Sequence, residues 1–409
     1  MSTSHRITVH RLGVLCSLVL TGSAAAQNTW FVDASAVAPG DGSAATPFTS
    51  IQHAIEQSTT ISGDTLLVAP GDYDEAVTTQ PNAGWKSLAI RSLAGPEVTR
   101  IRSDELFSVM LVQSELEGFT VSGVGAQPGF GVGLCSSTVR GCVVTGRSVG
   151  FYACGECWVL DSTVTGNGVA FDISVFDTLT VRDSIVWGNA NEAINSHGIF
   201  EASYSLFGVV VPGAGNLTGS PSFWDAANGD WRLKPGSVCI DAGDPASALD
   251  PDGSRRDMGA IAFDASYAPG PDVYCTAKVN SLGCTPAIAA VGTASASDAS
   301  SFPITCSNQI SQRMGFLSYG FQPLATPYQG GWKCVKAPNR RTPPQNSGGT
   351  LGTSDCSGAF SFDFNQHLQS GVDAALLPGV IVYAQYWARD PAASFANNRS
   401  DAVRFGIAP

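Results

Sequence analysis

Five short segments between Leu116 and Gly208 repeat one pattern, and their period limits what the chain can fold into. They read FTVSG, CVVTG, STVTG, SIVWG and YSLFG. Aligned on the last residue, they place Gly123, Gly146, Gly166, Gly188 and Gly208 in one column, 20 to 23 residues apart. Two residues earlier stand Val121, Val144, Val164, Val186 and Leu206, and two before those Phe119, Cys142, Ser162, Ser184 and Tyr204. Leucine-rich repeats have a similar period, but their leucine–asparagine signature is absent, and no helix-length apolar stripe fits between the segments. The remaining solution is a parallel β-helix whose coils stack about 4.8 Å apart. Alternate residues of each strand then face the interior, so the Val121 column points inward. Each glycine turns the chain out of its strand, where φ > 0 is expected. Asn167 and Asn189 each follow such a glycine, and their amides are placed to hydrogen-bond along the axis.

Composition suits this reading. Of 409 residues, 45 are glycine, 44% are hydrophobic and only 14% are charged, as in a turn-rich β protein. The net charge of −12 and the lack of a basic patch argue against nucleic acid and anionic membrane surfaces as partners. Residues 1–26 have the form of a signal peptide: a basic start with Arg6 and Arg11, an apolar run from Leu12 to Leu20 too short to span a bilayer, and a small-residue site before Gln27. Cleavage after Ala26 takes the net charge to −14. No later stretch reads as a membrane span, so a secreted or cell-surface monomer is expected.

The mature chain opens with a strand at Trp30–Val32, a Gly/Pro loop, and a short helix whose Ile51, Ala54 and Ile55 share one face, with Thr49 or Ser50 as N-cap. That helix is expected to cover the first coil, which would otherwise expose its interior and unpaired strand edges. Further strands are predicted at Thr65–Val68, Ser87–Ser92, Val98–Arg102 and Val109–Val112. The stretches "FVDAS…GDGSAATPFTSIQHAI…SGDTLLVAPGDYDEAV" and "GDWRLKPGSVCIDAGDPASALDPDGSRRDMGAIAF" bracket the repeats. They resemble the opening and closing segments of secreted right-handed parallel β-helix proteins of the pectin-lyase-like superfamily. The resemblance implies a capped β-helix over residues 27–265. It implies little about function, because that superfamily holds lyases, hydrolases and adhesins alike.

Residues 266–273 read as a Pro/Gly-rich linker, and residues 274–409 as a small β-sandwich-like domain. The alternation of Phe360, Phe362 and Phe364 and the run GVIVYAQYWA predict strands there. "YCTAKVNSLGCTPAI", "GGWKCV" and "SDAVRFGIAP" are similar to a C-terminal module of secreted bacterial proteins of unassigned role.

Candidate chemistry is sparse. Glycosidases need two or three clustered carboxylates, and no Asp-Asp pair occurs in the repeats. Asp161 and Asp183, 22 residues apart, should stack on adjacent coils, with Arg140 and Arg182 preceding the same strands. They make either a carboxylate-plus-arginine site of the lyase kind or a solvated ladder of offsetting charges. His197 stands alone and reads as a turn residue. Asp250, Asp252 and Asp257 resemble part of a Ca²⁺ loop, but the bidentate glutamate of an EF-hand is absent, so no cofactor is expected. Ten cysteines remain after the signal. The spacing of Cys135 from Cys154 and Cys157 lets either partner form an inter-coil disulfide, while Cys142 falls in the inward register. Five cysteines follow residue 273, so at least one is unpaired within that domain. Trp187, Trp158 and Tyr152 are candidates for a sugar-stacking surface on one side of the helix, with Asn189 as a hydroxyl partner; packing under a loop is the alternative for the rings. The leading expectation is a non-catalytic protein that binds polysaccharide or a cell-surface glycan, neutral or bridged by Ca²⁺. The alternative is a lyase or glycoside hydrolase on the same fold.

Overall fold

The computed structural model describes residues 27–81, 84–124, 128–191 and 195–409. The expected signal peptide lies outside the described residues. Residues 29–218 wind into a parallel β-helix of three sheets, with eight, eight and six strands. The first sheet runs from Thr29–Val32 through Thr138–Arg140, Glu156–Leu160 and Thr178–Arg182 to Ile199–Ser203. The second holds the repeat segments, from Gly71–Tyr73 to Leu217–Thr218, and the third runs from Val77–Thr78 to Asn195–Ser196.

Inward side chains stack in columns set by the strand register. In the first sheet the column is Leu66, Ile90, Leu116, Val139, Val159 and Val181, each 0% exposed. In the second it is Tyr73, Ile101, Val121, Val144, Val164 and Val186. The expected column holds to Val186 and then slips. Val186 pairs with Phe207, not with a residue level with Leu206. Phe207 packs edge-on to Phe200 and fills the end of the core, while Leu206 turns outward into a separate cluster.

Backbone amides that no strand pairs are met by side-chain ladders. Cys142 N–H donates to Ser162 Oγ (3.3 Å), Ser162 N–H to Ser184 Oγ (3.1 Å), and Ser184 N–H to Ser205 Oγ (3.1 Å). Ser205 takes the place expected of Tyr204, because Tyr204 is spent on a left-handed turn at φ 46°. That turn carries Gly118, Gly141, Asp161, Asp183 and Tyr204, all at positive φ, where aspartate is better tolerated than most residues. Of the five repeat glycines, Gly146, Gly166 and Gly188 take φ near 70°. Gly123 and Gly208 do not, which corrects the expectation for the two ends of the column. At the next turn, Asn189 Oδ1 accepts from both the backbone N–H and the amide of Asn167 (3.1 Å each), and Asn167 Oδ1 accepts from Arg147 N–H.

The helix Ile51–Glu56 buries Ile51, Ala54 and Ile55 against the first coil. Ser50 is its N-cap, accepting from His53 N–H, and the Glu75 carboxylate receives Ile51 N–H (2.8 Å) and Gln52 N–H (3.1 Å). A negative side chain there meets both the free amides and the positive end of the helix dipole. Cys135 and Cys154, directly paired across adjacent coils, form the inter-coil disulfide, and Cys157 is a buried free thiol.

Residues 272–409 form sheets that are antiparallel apart from the parallel pairing of Ala294–Ser295 with the last strand. A seven-stranded sheet packs on a three-stranded one across a core that includes Phe302, Ile304, Phe360, Tyr386 and Phe405. Tyr386 stacks on Phe360 (5.3 Å) and donates its hydroxyl to Ile304 O (2.8 Å). Phe364 ends the predicted phenylalanine alternation, since Asp363 caps a helix there, Phe364–Gln369. Cys275–Cys334 and Cys284–Cys356 are bridged, leaving Cys306 free and buried. The expected linker is ordered: Asp272–Tyr274 already pairs with the last strand, and Tyr267 packs edge-on to Trp224, its hydroxyl on Asp230.

The asparagine ladder carries a stability prediction. Asn167→Ala leaves Arg147 N–H without its acceptor and is expected to cost about 2 kcal/mol in chemical denaturation, the scale of one buried unsatisfied polar group. Loss of under half of that would mean the ladder is incidental.

Candidate functional site

Whether a residue of the β-helix is free for chemistry depends on which sheet it faces and what covers that sheet. Residues 230–263 fold back over the outer face of the second sheet. Leu233, Cys239 and Met258 form an apolar cluster with Ile185, Leu206 and Phe223. Gly259 N–H donates to Asp183 O and Ala260 N–H to Thr163 Oγ1 (3.1 Å).

This cover removes the expected carboxylate face. Asp161 and Asp183 do stack on adjacent coils, but they are 5% and 1% exposed. Asp161 is clamped between Arg140 Nη1 (2.5 Å) and Arg256 Nε (3.0 Å). Arg256 reaches on to Asp250 (2.9 Å), making a chain of alternating charge whose carboxylates are buried and whose guanidiniums are half-buried. Asp183 accepts from Asp244 N–H (2.5 Å) and Ser247 Oγ (2.6 Å). Burial pushes its carboxyl above the ordinary range, against the lowering effect of those two donors. Neither carboxylate is a solvated ladder member.

The Ca²⁺ loop is likewise filled from within. Asp250 accepts from Asp257 N–H (2.7 Å) as well as Arg256, and Asp257 accepts from Asp241 N–H (2.7 Å) and Phe263 N–H (2.6 Å). Asp252 is exposed and caps its own turn at Ser254 N–H. These oxygens hold the closing segment together. Among the described residues no group of three or more His, Cys, Asp or Glu side chains is arranged to hold a metal ion.

The three aromatic candidates fall on three different faces, not one. Trp187 lies under the closing segment, edge-on to Phe223 at 6.2 Å. Tyr152 is on the third sheet, edge-on to Phe130, with its hydroxyl 3.1 Å from Ser174 Oγ. Asn189 is buried in the amide ladder and unavailable to a ligand. His197 is exposed in the turn before Ile199, its N–H on Ile173 O. Trp158 is half-buried on the outer face of the first sheet.

On that face an open groove of about 600 Å³ runs across the coils. Register places Glu115, Thr138, Trp158 and Thr180 in one outward column, and Glu117, Arg140, Leu160 and Arg182 in the next. The charges are paired: Glu115 with Arg91 (3.0 Å), Arg140 with Asp161, and Arg182 with Asp183 (3.5 Å) and Asp244 (3.9 Å). Thr138 and Thr180 went unremarked in the sequence. The signal that finds them is the outward position immediately before each inward valine of the first sheet.

The clamp gives a second prediction. Asp161→Asn keeps the side-chain size and the tolerance for a left-handed turn but leaves Arg256 without its strongest partner. The expected loss is roughly 3 kcal/mol, the scale of breaking a buried ion pair, with new protease cleavage within residues 239–263. A variant as stable and protease-resistant as the parent would show that apolar packing alone holds the segment.

No family model matches the chain, and no curated protein matches it. Among solved structures it is similar to a pectate lyase, at 13% identity over 59% of this chain and 97% of that one, TM-score 0.32. It is also similar to a pectin methylesterase from Aspergillus niger, at 14% identity over 48% and 69% of the two chains, TM-score 0.32. A third is a rhamnogalacturonan lyase, at 11% identity over 44% and 68%, TM-score 0.30.

Proposed function

We propose that the β-helix holds an extended neutral polysaccharide along the outer face of its first sheet, without cleaving it, in an exported protein. The observation that carries this reading is the groove around Trp158. A half-buried indole flanked by Thr138 and Thr180 offers an apolar platform between hydroxyl groups, the combination a sugar ring meets with one face and its edges. Regular columns on successive coils repeat that surface along the axis, as an extended polymer requires. Each charge in the groove has a counter-charge within 4 Å, so the groove offers no net field to select an acidic chain.

Binding without turnover is supported by how the candidate acids and bases are engaged. Asp161 and Asp183 are buried under the closing segment, and Arg140 spends its charge on Asp161. A pair of carboxylates flanking a scissile bond needs both groups at the surface. Export is supported by the three disulfides, which persist in oxidising compartments. Among the described residues no helix is long and apolar enough to cross a membrane.

Trp158→Ala is expected to weaken retention on neutral polysaccharides about tenfold, or ~1.4 kcal/mol, with the melting temperature within 2 °C of the parent, about the effect of a surface substitution. Affinity electrophoresis across a panel of plant, algal and microbial glycans measures it. Unchanged retention, or release of reducing ends or unsaturated products from any glycan, overturns the reading. The exported protein should also have the intact mass of a chain beginning at Gln27 with three disulfides; a species still carrying Leu12–Leu20 would make that segment an anchor.

A further inference from the structure

The C-terminal domain holds a second cleft, of about 390 Å³, whose chemistry is opposite to that of the β-helix groove. Its floor is the outer face of the seven-stranded sheet. Phe316 and Trp387 are direct cross-strand partners and stack at 5.0 Å, and Trp387 is in turn flanked by Arg399. Arg341 lies over the Phe316 ring (4.9 Å) and Arg399 over the Tyr328 ring (5.1 Å). Tyr328 and Lys333 come from a hairpin, Pro323–Tyr328 and Gly331–Val335, that stands over the sheet as one wall.

Lys333, Arg341 and Arg399 all line this cleft, and no aspartate or glutamate does. None of the ion pairs among the described residues involves any of the three. In a chain of net charge −12, three unpaired cations around one cleft are mutually repulsive and do not arise from a general excess of base. Burial and the repulsion of Arg341 both lower the pKa of Arg399, the direction in which an incoming anion would act in reverse. Arg399 makes one long hydrogen bond, to Gln329 Oε1 (3.4 Å), and its Nε has no partner among the described residues.

The walls are held in place before any ligand arrives. Lys278, 6% exposed, donates to Gln329 O (3.0 Å), Ser394 O (2.7 Å) and Asn397 O (2.8 Å), tying the hairpin tip to the turn opposite and to the sheet. The Cys275–Cys334 disulfide and Gln385, which binds Cys334 N–H and Trp332 O, fix the base of the hairpin. A buried ammonium spent on three carbonyls is an expensive way to join two walls, and it lowers the ordering cost of binding between them. On the opposite rim Phe395 is 67% exposed at φ 64°, a strained position for a bulky residue that holds its ring out at the mouth.

We propose that this cleft binds an acidic sugar, one uronate unit of a glycan. Its carboxylate sits among Arg341, Arg399 and Lys333, and its ring lies against the aromatic floor and Phe395. The polar lining supports a sugar over a simple anion. Ser318 and Asn339 line the same cleft and are joined by a hydrogen bond from Asn339 Nδ2 to Ser318 Oγ, which leaves the serine O–H as a donor and the asparagine Oδ1 as an acceptor for ring hydroxyls. The domain thus adds a charge-selective site to a β-helix groove that is charge-balanced.

Isothermal titration calorimetry on the intact mature protein tests this, with trigalacturonate as probe and maltotriose and triglutamate as controls. Trigalacturonate is expected to bind at least tenfold more tightly than either control, and to weaken several-fold between 50 and 500 mM salt. Arg341→Gln, a substitution at an exposed side chain, should weaken it tenfold or more, and Phe395→Ala severalfold. Trp158→Ala should leave it unchanged, which separates this site from the β-helix groove. Equal binding of maltotriose, absence of binding, or loss on Trp158→Ala but not on Arg341→Gln overturns the proposal. Triglutamate binding as tightly as trigalacturonate also overturns it and makes the ligand an acidic peptide.

Discussion

The structure depends on each coil supplying the hydrogen-bonding partners of the next. A strand such as Thr163–Val164 is only two residues long, and its amides are satisfied by Val143–Val144 on one side and Ile185–Val186 on the other. Between strands the same demand passes to side chains: the serine column and the Asn167–Asn189 pair receive turn amides that no strand could reach. A stack built this way satisfies its interior at every step and leaves its ends unsatisfied. The helix Ile51–Glu56 covers one end. At the other, Phe207 and Phe200 fill the core while residues 230–263 fold back over the second sheet.

The fold-back decides what the surface can do. It is anchored by carboxylates of the stack itself, Asp161 to Arg256 and Asp183 to the backbone and hydroxyl of the 244–247 turn. Carboxylates used in this way leave the surface. The stack thereby loses Asp161 and Asp183 to structure, and the third sheet carries the disulfide and the packed Phe107–Phe130–Tyr152 cluster. The first sheet keeps a long face with a groove across its coils.

The legible part of this architecture was the part with a local period. Valines at 20 to 23 residue spacing, turn glycines, the asparagine pair and the coil-to-coil cysteine spacing are all set by contacts one coil apart. The capping helix was legible because its apolar spacing is local too. What escaped the reading comes from contacts far apart in sequence. Asp161 meets Arg256 over a separation of 95 residues, and Asp183 meets Asp244 over 61. Without those partners the two aspartates look solvated, Trp187 looks outward, and Trp158, Tyr152 and Trp187 look like neighbours. The register slip at Leu206 and Phe207 has a similar cause: the last coil has no regular successor, so the cluster beneath the fold-back sets its pairing. The C-terminal cleft has no local signal, since its residues come from five separated stretches between Phe316 and Arg399.

Charge pairing distinguishes the two open surfaces physically. In the groove of the first sheet each charge already has a counter-charge, so an approaching acidic polymer gains little and would displace existing pairs. In the C-terminal cleft the cations have no counter-charge among the described residues, so an anion bound there would offset their mutual repulsion. A field confined to one cleft in a chain of net negative charge is short-ranged, because screening within a Debye length of ~8 Å at physiological salt cancels it beyond the mouth. Such a site selects by contact and not by long-range attraction.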